Sequence, residues 1–496
     1  MSPAPTLRDR TRRGLIWASA EAGARAVLQI IVLAVLARLL SPQDYGVVGA
    51  AMIVVGISTI FSQLGVGPAV VQRAELKRDH LDAAFCVSVI LGVLTAGALW
   101  LLAPALAAFF RIPALVSALH GLAVVFPVAG FGVVSESLLQ RDLRFDLLAR
   151  AEVVSYGVGY GLVGIVLAWC GWGFWSLVCA QSVQMIVRTD FLFHYHAWRP
   201  RMQCRRGAVG DLFHFSSGLT VARLANYLAT NGDNLVVGRY LGAEALGVYG
   251  RAYALMSQPA NLIGNVLEKV LFPAMAKVQE SNDQLARVYR SGVGLLATAM
   301  LPASAAIYLL APEAVELLLG PKWRAVGFPL QIFAAGLLFR TSMKMSNSLI
   351  RAKGAVYQMA WCQIVYAAAI VGFAWACRDY GIEGVCVGVL IAIFLCFVLA
   401  AAISLRLIRV KWSEYIGEHL PGLILGAAVY GAGWLPCSLL RAQHAPAALV
   451  FTASLASMAL LGGGLAFLFP ATFLGPEGAR FADRLRLFFA KPRPVS

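Results

Sequence analysis

Continuous apolar stretches of about twenty residues, the length of helix that crosses roughly 30 Å of hydrocarbon, recur from near residue 14 to near residue 470 of this 496-residue chain. Segments of that length lie near 14–40, 46–71, 82–103, 115–138, 150–170, 173–193, 212–237, 246–270, 287–310, 326–348, 355–377, 382–404, 416–439 and 447–469. Their apolar residues are contiguous rather than alternating, which predicts helices and not the strands of a barrel. Hydrophobic residues are 59% and charged residues 13% of the chain, against a usual charged share of about 25%. Mean hydropathy is +0.74, more apolar surface than one soluble core of this length can hide. The chain therefore reads as an all-α polytopic membrane protein with fourteen transmembrane helices.

Basic residues orient it. The 41 Lys and Arg against 25 Asp and Glu would suggest nucleic acid in a soluble protein, but cytoplasmic loops of membrane proteins collect Lys and Arg, and no nucleic-acid partner is expected. With the N-terminus inside, 31 of the 41 fall on the cytoplasmic side. Six face the exterior: Arg111, Arg239, Lys322, Arg324, Arg378 and Arg441. Arg25, Arg38, Arg223 and Arg251 stay within or at the ends of apolar spans. Both termini are expected in the cytoplasm. The first span is too long and too polar for a cleavable signal. The nine cysteines are scattered without a C-x-x-C pair, so neither a metal nor another cofactor is expected. Every loop is short, and the longest, about 194–211, is cytoplasmic. A membrane glycosyltransferase or polymerase, which needs an exterior loop or domain for its acceptor, fits poorly, and no catalytic residues are assigned.

The chain also repeats itself. RLLSPQDYGVVGAA, from Arg38, aligns with RYLGAEALGVYGRA, from Arg239, at an offset of 201 residues with six of fourteen positions identical. Both copies fall between the first and second helix of a six-helix block. Six helices return the chain to its starting side, so the blocks read as parallel repeats about an axis along the membrane normal. The expected organisation is a basic tail (1–13), an N-lobe of helices 1 to 6 (14–205), a C-lobe of helices 7 to 12 (206–405), helices 13 and 14 (406–470), and an amphipathic cytoplasmic tail (471–496).

Charges inside spans cost about 2.5–3.5 kcal/mol each and usually face a cavity or a partner. In helix 1, Trp17, Glu21, Arg25 and Gln29 step by four; Glu21 and Arg25 either cancel each other or line a cavity. Helix 7 gathers Ser216, Thr220, Arg223, Tyr227, Thr230 and Asn234 on one sector, bordered by Asn226 and Asp233. Helix 8 carries Arg251, Gln258, Asn265 and Lys269 on one face, with Asn261 and Glu268 beside it and Pro259 as a possible kink. Helix 10 shows a ladder of Arg340, Lys344, Asn347 and Arg351. Helix–helix hydrogen bonding is the plain explanation; a water-filled cationic cavity is the functional one. Such a cavity suits an anion, since arginine forks onto phosphate oxygens. The candidate anion-binding residues are Arg25, Arg223, Arg251, Arg340 and Lys344. Tyr227, Asn234, Gln258 and Asn265 are the candidates to meet sugar rings and hydroxyls, and Glu21 and Asp233 are the acids of the same stripes.

LLSPQDYG at 39–46, QLGVGPAVVQR at 63–73, LLQRDLRF at 138–145 and the long run from Asn231 to Ile263 resemble the polysaccharide transporter family. These are the Wzx-type oligosaccharide flippases of the multidrug/oligosaccharidyl-lipid/polysaccharide exporter superfamily, and the similarity is strongest to the colanic-acid, xanthan and acetan branch. The resemblance implies a flippase moving undecaprenyl-pyrophosphate-linked repeat units to the outer leaflet of a bacterial cytoplasmic (inner) membrane, for exopolysaccharide or O-antigen assembly, by alternating access. It further implies the pyrophosphate on Arg25, Arg223, Arg251, Arg340 and Lys344, the glycan facing Tyr227, Asn234, Gln258 and Asn265, and Glu21 and Asp233 as the candidates to couple transport to an ion. Implied partners are the lipid-linked oligosaccharide, membrane lipids, and a polysaccharide polymerase and chain-length regulator. Related lipid II flippases place cavity arginines on the first, second and eighth helices; Arg25 and Arg251 match by helix, while helix 2 here carries no charge. A drug or cation antiporter and a lipid II flippase of the same superfamily are the alternatives.

Overall fold

The computed structural model describes residues 27–63, 65–73, 76, 78–195, 198, 201 and 206–468, with 206–222, 262–263, 265–270, 356 and 466 described by backbone alone. The described residues are helical with no strand. The expected tails, Glu21 and Arg25 lie outside the described residues.

In chain order the helices are α1 (Val27–Leu39), α2 (Pro42–Gln63), α3 (Val66–Gln72), α4 (Arg78–Phe110), α5 (Leu115–Leu122), α6 (Val125–Arg141), α7 (Phe145–Tyr156), α8 (Ile165–Trp169), α9 (Phe174–Tyr195) and α10 (Arg206–Tyr240). They continue as α11 (Gly242–Lys277), α12 (Asn282–Leu318), α13 (Gly327–Ala335), α14 (Leu337–Ala352), α15 (Val356–Ala376), α16 (Gly381–Ile408), α17 (Trp412–Gly417), α18 (Leu420–Ala442) and α19 (Ala447–Leu468). Among the described residues nine helical stretches are long and apolar enough to cross a membrane, or ten if the bent pair Pro321–Ala335 and Leu337–Ala352 counts as one. The expected spans outside that set fall on the short α1 and on α9, α10 and α11. The last three have 22, 35 and 36 residues, so apolarity and not length sets them apart. Two of them, α10 and α11, carry the polar stripes read from the sequence.

Several expected spans are interrupted. The second breaks around Gly65, whose φ of 72° closes α2 from α3. The fifth runs from α7 through a π-helical stretch, Gly157–Gly164, into α8. The tenth bends by 43° between α13 and α14.

The chain forms two compact units, Met1–Gly247 and Val248–Ser496. Within the first, α4 packs on α6, α6 and α7 on α9, and α10 on α2, α3 and α4. Arg188 on α9 ties three helices together, lying 2.9 Å from Glu136 of α6 and 3.3 Å from Glu152 of α7. Also inside this unit, the two copies of the repeat touch reciprocally. A methyl at Gly46 would overlap the Ala243 carbonyl oxygen, and one at Gly247 would overlap the Pro42 carbonyl oxygen. Pro42 and Ala243, like Gly46 and Gly247, are 201 residues apart. Such an exchange of partners is what local twofold symmetry between the copies produces, and glycine at both sites is what lets the backbones meet.

The second unit is built on α12, against which α13, α14, α18 and α19 pack. Its buried side includes Leu285, Tyr289, Leu296, Met300 and Val315. Helix α18 crosses α12 at Gly422, where a methyl would come within 2.5 Å of the Ala297 backbone. Ion pairs fix both ends of that crossing. Arg290 reaches Glu414 at 2.6 Å and Glu418 at 2.8 Å. Arg441 forks onto the carboxylate of Glu313 with two bonds of 2.7 Å. Arg290 and Glu313 stand 23 residues apart, about 35 Å along a helix. That is slightly more than the roughly 30 Å hydrocarbon slab, so the two ionic clasps are spaced about as far apart as the two interfaces of a membrane.

Candidate functional site

Helix α14 begins at the bend, and its periodicity then sets the site. Arg340, Lys344, Asn347 and Arg351 recur every three or four residues and so share a face. Arg340 comes one turn after Gly336, whose carbonyl accepts the Arg340 amide at 3.1 Å. The bend thus separates the apolar α13 from the polar face of α14.

Helix α11 supplies the other wall. The guanidinium of Arg340 lies over the Tyr253 ring, 4.6 Å from its centroid. Tyr253 is held edge-on by Phe333 of α13 at 5.8 Å, and Phe333 also meets Tyr249 at 5.3 Å. One turn further along α14, the Lys344 ammonium donates to the Asn261 side-chain oxygen at 3.2 Å, its stem passing over Gly264. Near the end of the helix, Arg351 lies over Phe272 at 5.0 Å. Tyr253 and Asn261 hold Arg340 and Lys344 in place, and a ring beneath a guanidinium is worth about 0.5–2 kcal/mol depending on desolvation. Arg251 is half-buried on the same helix α11, and Gln258 is exposed there. The structure therefore brings the expected ladder of helix 10 against helix 8, through Tyr253 and Asn261.

Arg223, Tyr227, Asp233 and Asn234 belong to α10, in the first unit. Arg223 is half-buried there. Tyr227 donates its hydroxyl to the carbonyls of Met52 and Ile53 on α2, both at 3.2 Å, and a side chain at Gly56 would overlap its ring. Its hydroxyl is thus engaged in a helix crossing. Asp233 is 2% exposed, and one of its oxygens accepts the Asn234 amide at 2.8 Å and the Asn234 side-chain nitrogen at 3.2 Å. The side chain of Asn265 lies outside the described residues.

Sequence reasoning passed over Tyr253, an aromatic among many, and placed Asn261 beside the polar face of α11 rather than on the contact. Tyr253 and Phe333 lie on different helices, so no local pattern marks the pair. It also passed over the Glu136–Arg188–Glu152 cluster, whose members are 52 and 36 residues apart from Arg188. Among the described residues no group of three or more His, Cys, Asp or Glu is placed to hold a metal.

Residues 35–327 match the family described as polysaccharide biosynthesis protein. The lipopolysaccharide biosynthesis protein WzxC of Escherichia coli (strain K12) is 26% identical over 358 residues, 71% of this chain and 72% of that protein. The succinoglycan biosynthesis transport protein ExoT of Rhizobium meliloti (strain 1021) is 25% identical over 451 residues, 85% of this chain and 90% of that protein. Among solved structures, the lipid II flippase MurJ in an inward closed conformation matches with a TM-score of 0.69 at 11% identity, covering 91% of this chain and 99% of that one. An inward-facing multidrug resistance transporter of the MATE family matches with a TM-score of 0.63 at 17% identity, covering 78% of this chain and 94% of that one. At these identities the structural likenesses speak for the fold alone. The match over more than half of the sequence shows the family: the chain belongs to the polysaccharide biosynthesis protein family.

Proposed function

We propose that this membrane protein of the polysaccharide biosynthesis family flips undecaprenyl-pyrophosphate-linked oligosaccharide repeat units from the inner to the outer leaflet of a bacterial cytoplasmic membrane, supplying exopolysaccharide or O-antigen assembly. The observation that carries the reading is the cationic face of α11 and α14, where Tyr253 and Asn261 direct Arg340 and Lys344. Pyrophosphate is the anion that two oriented cations one helical turn apart suit, through charge-assisted bonds of about 1.5–3 kcal/mol each. Arg251 adds to this face, and Arg223 and Arg25 are further candidate cations for such an anion. Gln258, Asn234 and Asn265 contact the glycan, while Tyr227 positions α10 against α2. The polyprenyl chain stays in lipid. No bond is made or broken, so the work is translocation and not catalysis, by alternating exposure of the cationic face to either leaflet. Asp233 and Glu21 are the coupling groups.

The proposed topology, read from the basic residues, has fourteen spans and both termini in the cytoplasm, and the second unit agrees with it in keeping residues assigned to one side at one end. Lys353, Arg290 and Lys411 belong to the end clasped by Glu414 and Glu418, and Arg324 and Arg441 to the end at Glu313. A polymerase and a chain-length regulator are the partners that take up the product. A drug antiporter, whose organic cation would meet a basic face, is disfavoured.

Cells lacking this chain are expected to accumulate the lipid-linked repeat unit with its glycan shielded from an external glycosidase. The wild-type chain should relieve the accumulation, and an Arg340→Ala/Lys344→Ala chain present at equal level should not. Relief by the double variant removes the assigned anion site; a normal inner leaflet in the deletion strain removes the function.

A further inference from the structure

At the Glu313 end of the second unit, a cavity of about 160 Å³ opens between α12, α13 and α18. It lies outside the cationic face of α11 and α14, and nothing in the proposed transport step uses it. Tyr308, Tyr430 and Trp434 line it together with Gln331, Ser438 and Arg441. The three aromatics are 44%, 37% and 52% exposed, so their rings are available to a ligand. Trp and Tyr collect at membrane interfaces in general, but a belt alone does not make a cavity or converge on polar groups.

The polar groups are specific about what fits. Arg441 spends its Nε and one terminal nitrogen on Glu313 at 2.7 Å, and that same nitrogen donates to the Leu309 carbonyl at 2.9 Å. Its charge is therefore matched, and an anion placed here would leave the site net negative. Gln331 donates its nitrogen to the Tyr308 carbonyl at 3.0 Å, which leaves its side-chain oxygen as an acceptor. Ser438 donates to the Leu435 carbonyl at 3.0 Å, which likewise leaves its oxygen to accept. Acceptors beside the second terminal nitrogen of Arg441 and the tyrosine hydroxyls suit a ligand that both donates and accepts. Hydroxyl groups do so, whereas phosphate only accepts. Aromatic rings supply flat apolar surfaces for the C–H face of a ring.

We propose that this cavity is a carbohydrate subsite at the outer membrane interface, holding one neutral sugar ring. The outer placement rests on the flippase reading and its orientation; the sugar chemistry rests on the lining alone. It would receive a sugar of the glycan as it emerges, on a surface that does not compete for pyrophosphate.

The test is saturation-transfer NMR on the full chain in nanodiscs of phosphatidylethanolamine and phosphatidylglycerol, free of sugar detergents. The probes are D-glucose, D-galactose and N-acetyl-D-glucosamine, with glycerophosphoethanolamine as the headgroup probe. At least one sugar should show ring C–H transfer that Trp434→Ala lowers about fivefold to tenfold, the loss of one aromatic contact. Trp434→Phe should retain most of it, and Trp169→Ala, at an exposed tryptophan of the other unit, should retain all of it. Gln331→Leu gives a second variant that leaves the aromatic platform in place and should also weaken the signal. No transfer dependent on Trp434 from any of the three sugars overturns the proposal, as does transfer from glycerophosphoethanolamine alone. Reconstituted flipping separates the two claims: flipping without sugar binding sinks only the subsite, and sugar binding without flipping sinks the flippase reading and the outer placement while the sugar chemistry of the cavity stands.

Discussion

Arg340 and Lys344 are one turn apart on α14 and yet are held by different chemistry, a ring for the planar guanidinium and an amide for the ammonium. The ring matters because a guanidinium stacked on it loses little freedom when it then meets an anion. Replacing Tyr253 by Phe should therefore leave transport near wild type. Replacing it by Leu should lower transport about threefold to tenfold, the cost of a partly desolvated cation–π contact. Equal loss in both variants would mean that the hydroxyl, and not the ring, is what Arg340 needs. Gly56 makes a separate residue-scale prediction. Gly56→Leu should drive the Tyr227 ring off α2 and cost about 1–3 kcal/mol, as overpacking does; an unchanged melting temperature would contradict it. The cations themselves were legible from their three- and four-residue spacing along α14. Tyr253, Asn261 and Gly56 were not, because their roles come from residues on other helices and leave no local pattern.

At the scale of elements, α18 is set against α12 by one close backbone crossing at Gly422 and an ionic clasp at each end. Removing one partner of a buried pair costs about 3–5 kcal/mol, but Arg441 is 40% exposed and solvent screening lowers that to about 1–3 kcal/mol. Glu313→Leu alone should reduce the thermal stability of the chain. Glu313→Leu with Arg441→Leu should recover much of it, since the double change leaves no orphaned charge. If the double variant is as unstable as the single, the clasp is not the cause. Helix existence was readable from hydropathy because lipid forces backbone hydrogen bonds into long continuous runs. The break at Gly65, the π-helical stretch Gly157–Gly164 and the 43° bend before α14 were hidden. Each depends on how neighbouring helices accommodate a local deviation, and no apolar count registers that.

Across the whole molecule, the proposed topology takes the excess of basic residues as a mark of orientation, and the proposed function rests on the few cations within spans. In a chain freed of its native cysteines, Arg324→Cys should react with a membrane-impermeant maleimide from outside intact cells, and Lys411→Cys only after permeabilisation. The opposite pattern would invert the proposed topology. The repeat, seen in sequence as six identities in fourteen, acquires a physical meaning in the reciprocal contacts of Gly46 with Ala243 and Gly247 with Pro42. The most direct measurement of the central claim is leaflet exchange of purified undecaprenyl-pyrophosphate-linked oligosaccharide in proteoliposomes containing the full chain. Wild type should move the lipid across, Arg340→Ala/Lys344→Ala should slow it at least about tenfold, the loss of one charge-assisted bond, and Arg223→Ala/Arg251→Ala should also slow it. Exchange at the wild-type rate by both double variants would contradict a cationic site for the pyrophosphate, and no exchange by the wild type would contradict the flippase itself.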